Sequence, residues 1–561
     1  MQRTNHRSPI REIADELVHR LLTADPFGAS TLGVREYDRL VPAASAQAAM
    51  DLDADLAVLA DRATGLSTAE SADRVTLGVV RSACERERAS IANADAECTA
   101  TATPFAGPPA LLAVAARTTL PDAQAADDYL ARLAGAAAWI DAKTDRLRDG
   151  RAKGRLPVAE LVDHAVGWAD RALAEGVPAA FAAPVPPQGW AGASGWRTRV
   201  EDTVKDAIMP ALARWRDLLA ELRPIARSAE RPGRCALPGG EADYTRDIAM
   251  HTTLPLTAQQ LHRIGLETIE ELEARAQELG SPLGLNDRDA IVAALRASVS
   301  ERTAEQAIAA AREAIARAEA IASRLMPDPL PTPCGVEPMP ETVGASGMAP
   351  HYVRPQRGRG IAGGAGRPGT YWFNTMRPTC GAGWDLEAIA FHEAVPGHHS
   401  QHARAQLIEG LPLLQQMSIT VHSEGWALYA EELAGEFGLY SDARAELGAV
   451  SMAMHRTARM VIDTGLHAFG WSRARAIEFM LTRVGLPEGF LVNEVDRCLT
   501  IPGQALAYLT GKREIVRLRA AAEQRLGAEF DLREFHAAVL GSGSVPMPVL
   551  DEIVTEATAK R

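Results

Sequence analysis

The sequence lacks several features that would fix its class at once. Its six cysteines, Cys84, Cys98, Cys235, Cys334, Cys380 and Cys498, stand singly with no C-x-x-C spacing. That excludes a cysteine-ligated zinc site and a disulfide framework. No stretch reaches the roughly 18 uninterrupted apolar residues of a membrane-spanning helix. The opening run M-Q-R-T-N-H-R-S-P-I-R-E-I carries charges where a secretory leader has its apolar segment. These absences predict a reducing cytoplasm and no membrane partner. Positive charge is not in excess either: the formal net charge is −13 and the pI is near 5.6. A nucleic-acid groove needs a basic footprint, so no nucleic-acid partner is expected. No repeat of fixed period is visible. The glycine-rich stretch R-G-R-G-I-A-G-G-A-G-R-P-G, residues 357–369, has neither the strand-loop-helix context nor the G-K-S/T ending of a phosphate cradle.

What is present is a long chain with material for a large core. At 561 residues and 47% hydrophobic content, it exceeds the size at which a single core stops growing, so a large core or two closely packed lobes is expected. Helical signals dominate. Ser8 before Pro9 is a helix start, followed by Ile10, Ile13, Leu17 and Leu21 at helical spacing. Thr257 with Gln260, and Thr303 with Gln306, have the form of capping boxes that open long helices. A proline-rich run from about 176 to 197 reads as a connector. Strand signals are confined to H-Y-V at 351–353 and G-T-Y-W-F-N at 369–374, which predict a small hairpin over 348–375. Asp385 is placed to cap the helix that follows.

That helix leads into F-H-E-A-V-P-G-H-H-S-Q, residues 391–401. A helical H-E-x-x-H holds zinc between imidazoles one turn apart, with the glutamate as general base. Here Pro396 stands where the second histidine would be, and His398 and His399 come six and seven positions after His392. In a regular helix His399 would lie about 10 Å further along the axis, too far to share an ion. Pro396-Gly397 could instead supply a widened turn, a bulge that returns a later histidine to the first. The alternative is a helix that ends at Pro396, followed by a polar loop. A third ligand is sought downstream in V-H-S-E-G-W-A-L-Y-A-E-E-L, where Glu424 stands early in a helix and Glu431 two turns on along the same face. Either could ligate, or Glu431 could orient a ligand.

The combination H-E-A-V-P-G-H-H-S-Q with E-G-W-A-L-Y-A-E resembles a bacterial family of unknown function, DUF885, itself similar to a distant branch of zincins whose third ligand is glutamate. The resemblance extends to D-P-F-G-A-S-T-L-G-V-R-E-Y-D (25–38), R-P-G-T-Y-W-F-N-T (367–375), R-T-A-R-M-V-I-D-T-G-L-H-A-F-G-W-S (456–472), P-G-Q-A-L-A-Y-L-T-G (502–511) and F-D-L-R-E-F-H (530–536). It implies that His392 and Glu424 hold one zinc ion and that Glu393 is the general base. For the middle ligand it favours His398, with His399 as the alternate or as a substrate contact. One departure is Cys498, in R-C-L-T-I-P-G-Q-A, where the family pattern usually has an aromatic residue. The smaller side chain is expected to reshape the pocket.

The resulting expectation is a mainly α, zincin-like, two-lobed fold forming a single unit with a deep central cleft. An N-terminal helical lobe covers about 1–250. A catalytic lobe covers about 251–561, with the hairpin beside the active-site helix and the metal helices at 385–435. The chemistry expected is zinc-dependent hydrolysis of an amide bond in a small peptide or peptide-like metabolite. The alternatives are a non-peptide amide or ester hydrolase, a biosynthetic tailoring enzyme, or an inactive helical binding protein. Tyr508, after a Pro-Gly break, and His467, four positions after Asp463, are candidates to stabilise an oxyanion. Arg456, Arg459 and Arg497 are candidates to hold a substrate carboxylate, and Asn374 stands beside a strand that could pair with an extended peptide. A monomer or a homodimer fits the acidic, alanine-rich composition.

Overall fold

The computed structural model describes residues 8–104, 106–328, 332–344, 348–355, 368–376 and 381–559. Residues 357–367 of the glycine-rich stretch, together with Cys380, Pro329 and Pro331, lie outside them. Helix takes 70% of the chain and strand 2%, which is the mainly helical class expected. The starts read from the sequence are the starts observed. Ser8 caps the helix Pro9–Ala24 by accepting from the Arg11 N–H. Both capping boxes form, opening Ala258–Gly280 and Ala304–Ala320. Each supplies acceptors to helix-terminal donors that would otherwise lack partners.

The sheet has three strands in the order β1-β3-β2, with β1 Gly335–Pro338, β2 His351–Val353 and β3 Thr370–Phe373. β2 and β3 pair antiparallel, Tyr352 opposite Tyr371, as the expected hairpin requires. β1 pairs parallel to β3 and was not foreseen, because G-V-E-P is too short and too poor in apolar residues to signal a strand. Its presence makes β3 the central strand. The 369–375 segment therefore has no free edge to offer a peptide, and the strand facing the site is β2.

Three large apolar clusters make up most of the buried core of the described residues. One joins the helix Ala304–Ala320, the sheet, the motif helix Leu386–Glu393 and the helices Ala443–His467 and Glu488–Thr500. A second joins the first helices of the chain to its last ones, from Leu17 and Val80 to Phe535 and Leu550, and so runs across position 250. The third fills the helices between Pro108 and Leu222. The elements at the centre are apolar on every side. In Thr420–Glu436 every residue except Thr420, Glu424, Glu432, Gly435 and Glu436 is buried, so only the C-terminal end of the helix faces solvent.

Candidate metal centre

The motif helix stops at Glu393, and a new helix, His398–Leu407, begins after four intervening residues. The chain is thus interrupted rather than bulged, and Pro396-Gly397 folds it back on itself. The Gly397 N–H donates to the Phe391 carbonyl (3.0 Å) and the His399 N–H to the Ala394 carbonyl (3.1 Å). Trp426 Nε1 closes the turn by donating to the Pro396 carbonyl at 2.9 Å. A Cβ at Gly397 would stand 2.0 Å from the His392 carbonyl oxygen, so the turn closes only around glycine. Its effect is to set the His392 and His398 rings at a centroid distance of 4.8 Å.

Glu424, on the helix Thr420–Glu436, completes the group. Its Oε2 lies 3.4 Å from His392 Nε2 and 3.5 Å from His398 Nε2, and one donor atom from each of the three residues falls within 4.8 Å of the others. The other nitrogen of each imidazole is also held. His392 Nδ1 donates to Glu431 Oε1 at 2.7 Å, and His398 Nδ1 lies 3.4 Å from Ser423 Oγ. Burial disfavours charge on His392, but the hydrogen bonds it donates to the Glu424 and Glu431 carboxylates outweigh it and raise its imidazole to about 10. Burial would likewise raise Glu424, and the two imidazoles instead hold it well below the usual carboxylate range.

Glu393 lines the same cavity, of about 2320 Å³. One of its oxygens accepts the Tyr352 N–H of β2 at 2.7 Å, which leaves the other for a ligand. The cavity walls come from residues between 24 and 171 and between 348 and 508, and include His392, Glu393, His398 and Glu424.

The remaining candidates separate sharply. Tyr508, Arg456 and Arg497 line this cavity. The Tyr508 ring lies between two guanidiniums, Arg456 at 5.1 Å and Arg459 at 4.8 Å from its centroid. Arg459 itself is buried beneath the wall, ion-paired to Glu494 (3.1 Å) and bonded to Gln504 (2.9 Å). His467 does not reach the site. Its Nδ1 accepts the Arg234 N–H (3.1 Å), its Nε2 donates to the Cys498 carbonyl (3.0 Å), and burial pushes it down to about 3. The expected pairing with Asp463 fails because that carboxylate is taken by Tyr244 Oη and the Gly503 N–H. His399 is fully buried, with Nε2 donating to the Thr332 carbonyl (2.6 Å) and Nδ1 accepting from Tyr352 Oη (3.0 Å), so neither nitrogen is left for a metal or a substrate. Asn374 is fully buried and spends its amide on the Gly344 and Met348 carbonyls. Asp385 heads the motif helix, but its carboxylate turns back to accept the Gly381 and Gly383 N–H groups. Cys498 is buried and not part of the cavity wall, so the expected reshaping of the pocket has no basis.

Three participants had gone unnoticed. Ser423 bridges His398 and His402, whose Nε2 it meets at 3.0 Å. His402 follows His398 by four positions, a helical spacing legible in H-H-S-Q-H. The Tyr352 contact is made by backbone, which no side-chain motif could have shown.

The profile of a family described as "Bacterial protein of unknown function (DUF885)" matches residues 26–554. The chain belongs to the DUF885 family. Solved structures share the fold. This DUF885 chain superposes on "the putative lipoprotein from Colwellia psychrerythraea" with a TM-score of 0.88 at 23% identity, over 98% of this chain and 99% of that one. A "putative lipoprotein of unknown function from Shewanella oneidensis" gives 0.73 at 17% identity, over 98% and 100%. A carboxypeptidase from Pyrococcus furiosus reaches only 0.39 at 10% identity, too low to show a common fold. Comparison with curated proteins gave no match. The cytoplasmic location expected from the sequence is contradicted by these two structures, both of which are described as putative lipoproteins. Among the described residues of this DUF885 protein no helix is long and apolar enough to cross a membrane.

Proposed function

We propose that this protein is a zinc-dependent hydrolase that cleaves an amide bond in a small peptide or peptide-like metabolite. The observation that carries the reading is the convergence of His392, His398 and Glu424 beside Glu393 on a cavity wall. Two imidazoles and a carboxylate are a donor set zinc accepts, and bonds of about 2.1 Å at tetrahedral angles would separate donors by roughly 3.4 Å. The separations of 3.4 and 3.5 Å from Glu424 to the two histidines fit that spacing. Glu431 on His392 supplies the outer hydrogen bond that fixes a ligating tautomer.

A zinc ion held there would lower the pKa of a water toward about 7 and polarise the scissile carbonyl. Glu393 takes a proton from the attacking water as the C–O bond forms and the carbonyl electron pair moves to oxygen, then returns it to the amine nitrogen as the tetrahedral adduct collapses and the C–N bond breaks. The Tyr352 N–H fixes one Glu393 oxygen and leaves the other to handle the proton. Tyr508, on the wall of the same cavity, donates a hydrogen bond to the carbonyl oxygen as negative charge builds on it. A carboxylate positioned beside the donor set is of no use to a purely binding protein, which weighs against an inactive role.

The test is Glu393→Gln, assayed for metal content and for cleavage of a mixed tripeptide set. The variant should retain zinc and lose about 10²- to 10⁴-fold in kcat. Cleavage at the parental rate would remove Glu393 from the mechanism.

A further inference from the structure

We propose that Arg456 is the receptor for a carboxylate on the substrate, so that the enzyme acts at the free C-terminal end of short peptides and not inside longer chains. This rests on the hydrolase reading and adds the substrate class. Arg456 and Arg459 lie over Tyr508 and Arg497 lines the same cavity, and two of the three are already committed. Glu494 takes Arg459 Nε at 3.1 Å through one oxygen and Arg497 Nη1 at 3.7 Å through the other. Arg456 has no carboxylate within ion-pair distance among the described residues, and its Nε is shielded from solvent without a hydrogen-bond partner. A half-buried cation whose Nε is shut off from water is costly unless an anion arrives to meet it.

What surrounds Arg456 orients it without neutralising it. Glu494 Oε2 accepts from His455 Nε2 at 3.2 Å, which leaves His455 Nδ1 as a lone pair facing Arg456 Nη1 at 3.4 Å. Burial keeps that imidazole neutral, at about 4. On its other side the guanidinium rests over the Tyr508 ring. A neutral imidazole and a phenol ring hold the guanidinium in place while its charge stays available. The side chain lines the cavity that holds the zinc donors, and its field acts on His392 and Glu424. A guanidinium matches a carboxylate through two parallel hydrogen bonds, a geometry that lysine cannot reproduce. A peptide carboxylate seated there would put the preceding amide, rather than a distant one, near Glu393 and the donor set.

The test uses zinc-loaded full-length protein and two matched probe sets: mixed tripeptides with free C-terminal carboxylates, and the same tripeptides as C-terminal amides. Calorimetric affinity and steady-state cleavage are both read, for the parent, Arg456→Gln and Arg456→Lys. The parent should bind and cleave the free acids about 100-fold better than the amides, the worth of a charged hydrogen bond that is lost. Arg456→Gln should erase that preference through KM, the free acids falling to the level of the amides. Arg456→Lys should restore it in part, which also controls for misfolding. Equal losses on both sets would make Arg456 a structural counter-charge and overturn the proposal, as would equal parental affinity for acids and amides. Binding that favours the acids without any cleavage would uphold the carboxylate subsite and sink the hydrolase reading instead.

Discussion

At the scale of single residues, the same side-chain type takes opposite roles according to what its second nitrogen or oxygen is given. His392 and His398 each have Nδ1 occupied and Nε2 turned to Glu424. His399, the next residue, has both nitrogens consumed by Thr332 and Tyr352. The pair Tyr508 and His467 divides in the same way, one on the cavity wall and one bonded at both ends inside the core. Substituting them therefore has contrasting outcomes. Tyr508→Phe should lower kcat by about 10²-fold with little change in melting temperature, because it removes one donor aimed at developing charge. His467→Gln should lower stability by about 1–3 kcal/mol, since it disturbs two buried hydrogen bonds, and leave kcat near the parental value. Steady-state kinetics beside thermal unfolding separates the two. Glu431→Gln should keep the fold and weaken zinc binding about 10- to 100-fold, measured by competition with a chromophoric chelator.

At the scale of elements, the site depends on how closely the helix bearing Glu424 approaches the helix bearing Tyr508. Thr420–Glu436 and Leu506–Leu526 meet at Gly425 and Gly511. A Cβ on Gly511 would stand 1.9 Å from the Val421 carbonyl oxygen and 2.8 Å from the Gly425 Cα. Backbone atoms cannot step aside as a flexible side chain can, so Gly511→Ala should force the helices apart. The expected result is a loss of at least about 1–3 kcal/mol together with weaker zinc binding, because Glu424 moves with its helix. Denaturant unfolding and a metal titration on the same variant check both halves. This contact also marks a limit of the sequence. E-G-W and L-T-G point to helices, but nothing in either segment says that their glycines touch. The capping boxes, the hairpin and the helix carrying Glu424 were legible because each is a local pattern. β1, the Glu494 hub and the choice between His398 and His399 were not, because each depends on partners far away in the chain.

At the scale of the whole molecule, many buried polar groups are held neutral by the core, and this gives folding a pH dependence. His536 is fully buried between the Leu325 carbonyl and Tyr429 Oη, and burial, aided by the charge of Arg519, lowers it to about 4. His467 is lowered to about 3. In the unfolded chain both return to about 6.5. Between those values the unfolded state binds more protons than the folded one, so stability is full above pH 6.5 and falls as the pH drops. For His536 the loss by pH 4 amounts to about 3 kcal/mol. Melting temperature measured from pH 7 down to 4.5 should decline with increasing slope below pH 6.5, and His536→Gln should make the decline shallower. Across the whole chain, composition indicated a large helical protein, and the motif segments pointed to the DUF885 family. Location was misjudged, because scattered cysteines and a charged opening run record only what a chain lacks.

The central claim is that His392, His398 and Glu424 together hold one divalent ion. The most direct measurement is zinc content per chain by inductively coupled plasma mass spectrometry, after zinc-replete expression and dialysis against a weak chelator. The parent should carry close to one equivalent. His398→Ala and Glu424→Ala should fall well below half an equivalent, and His399→Ala should match the parent. Less than a few tenths of an equivalent in the parent, or an ion that follows His399 and ignores His398, would contradict the assignment.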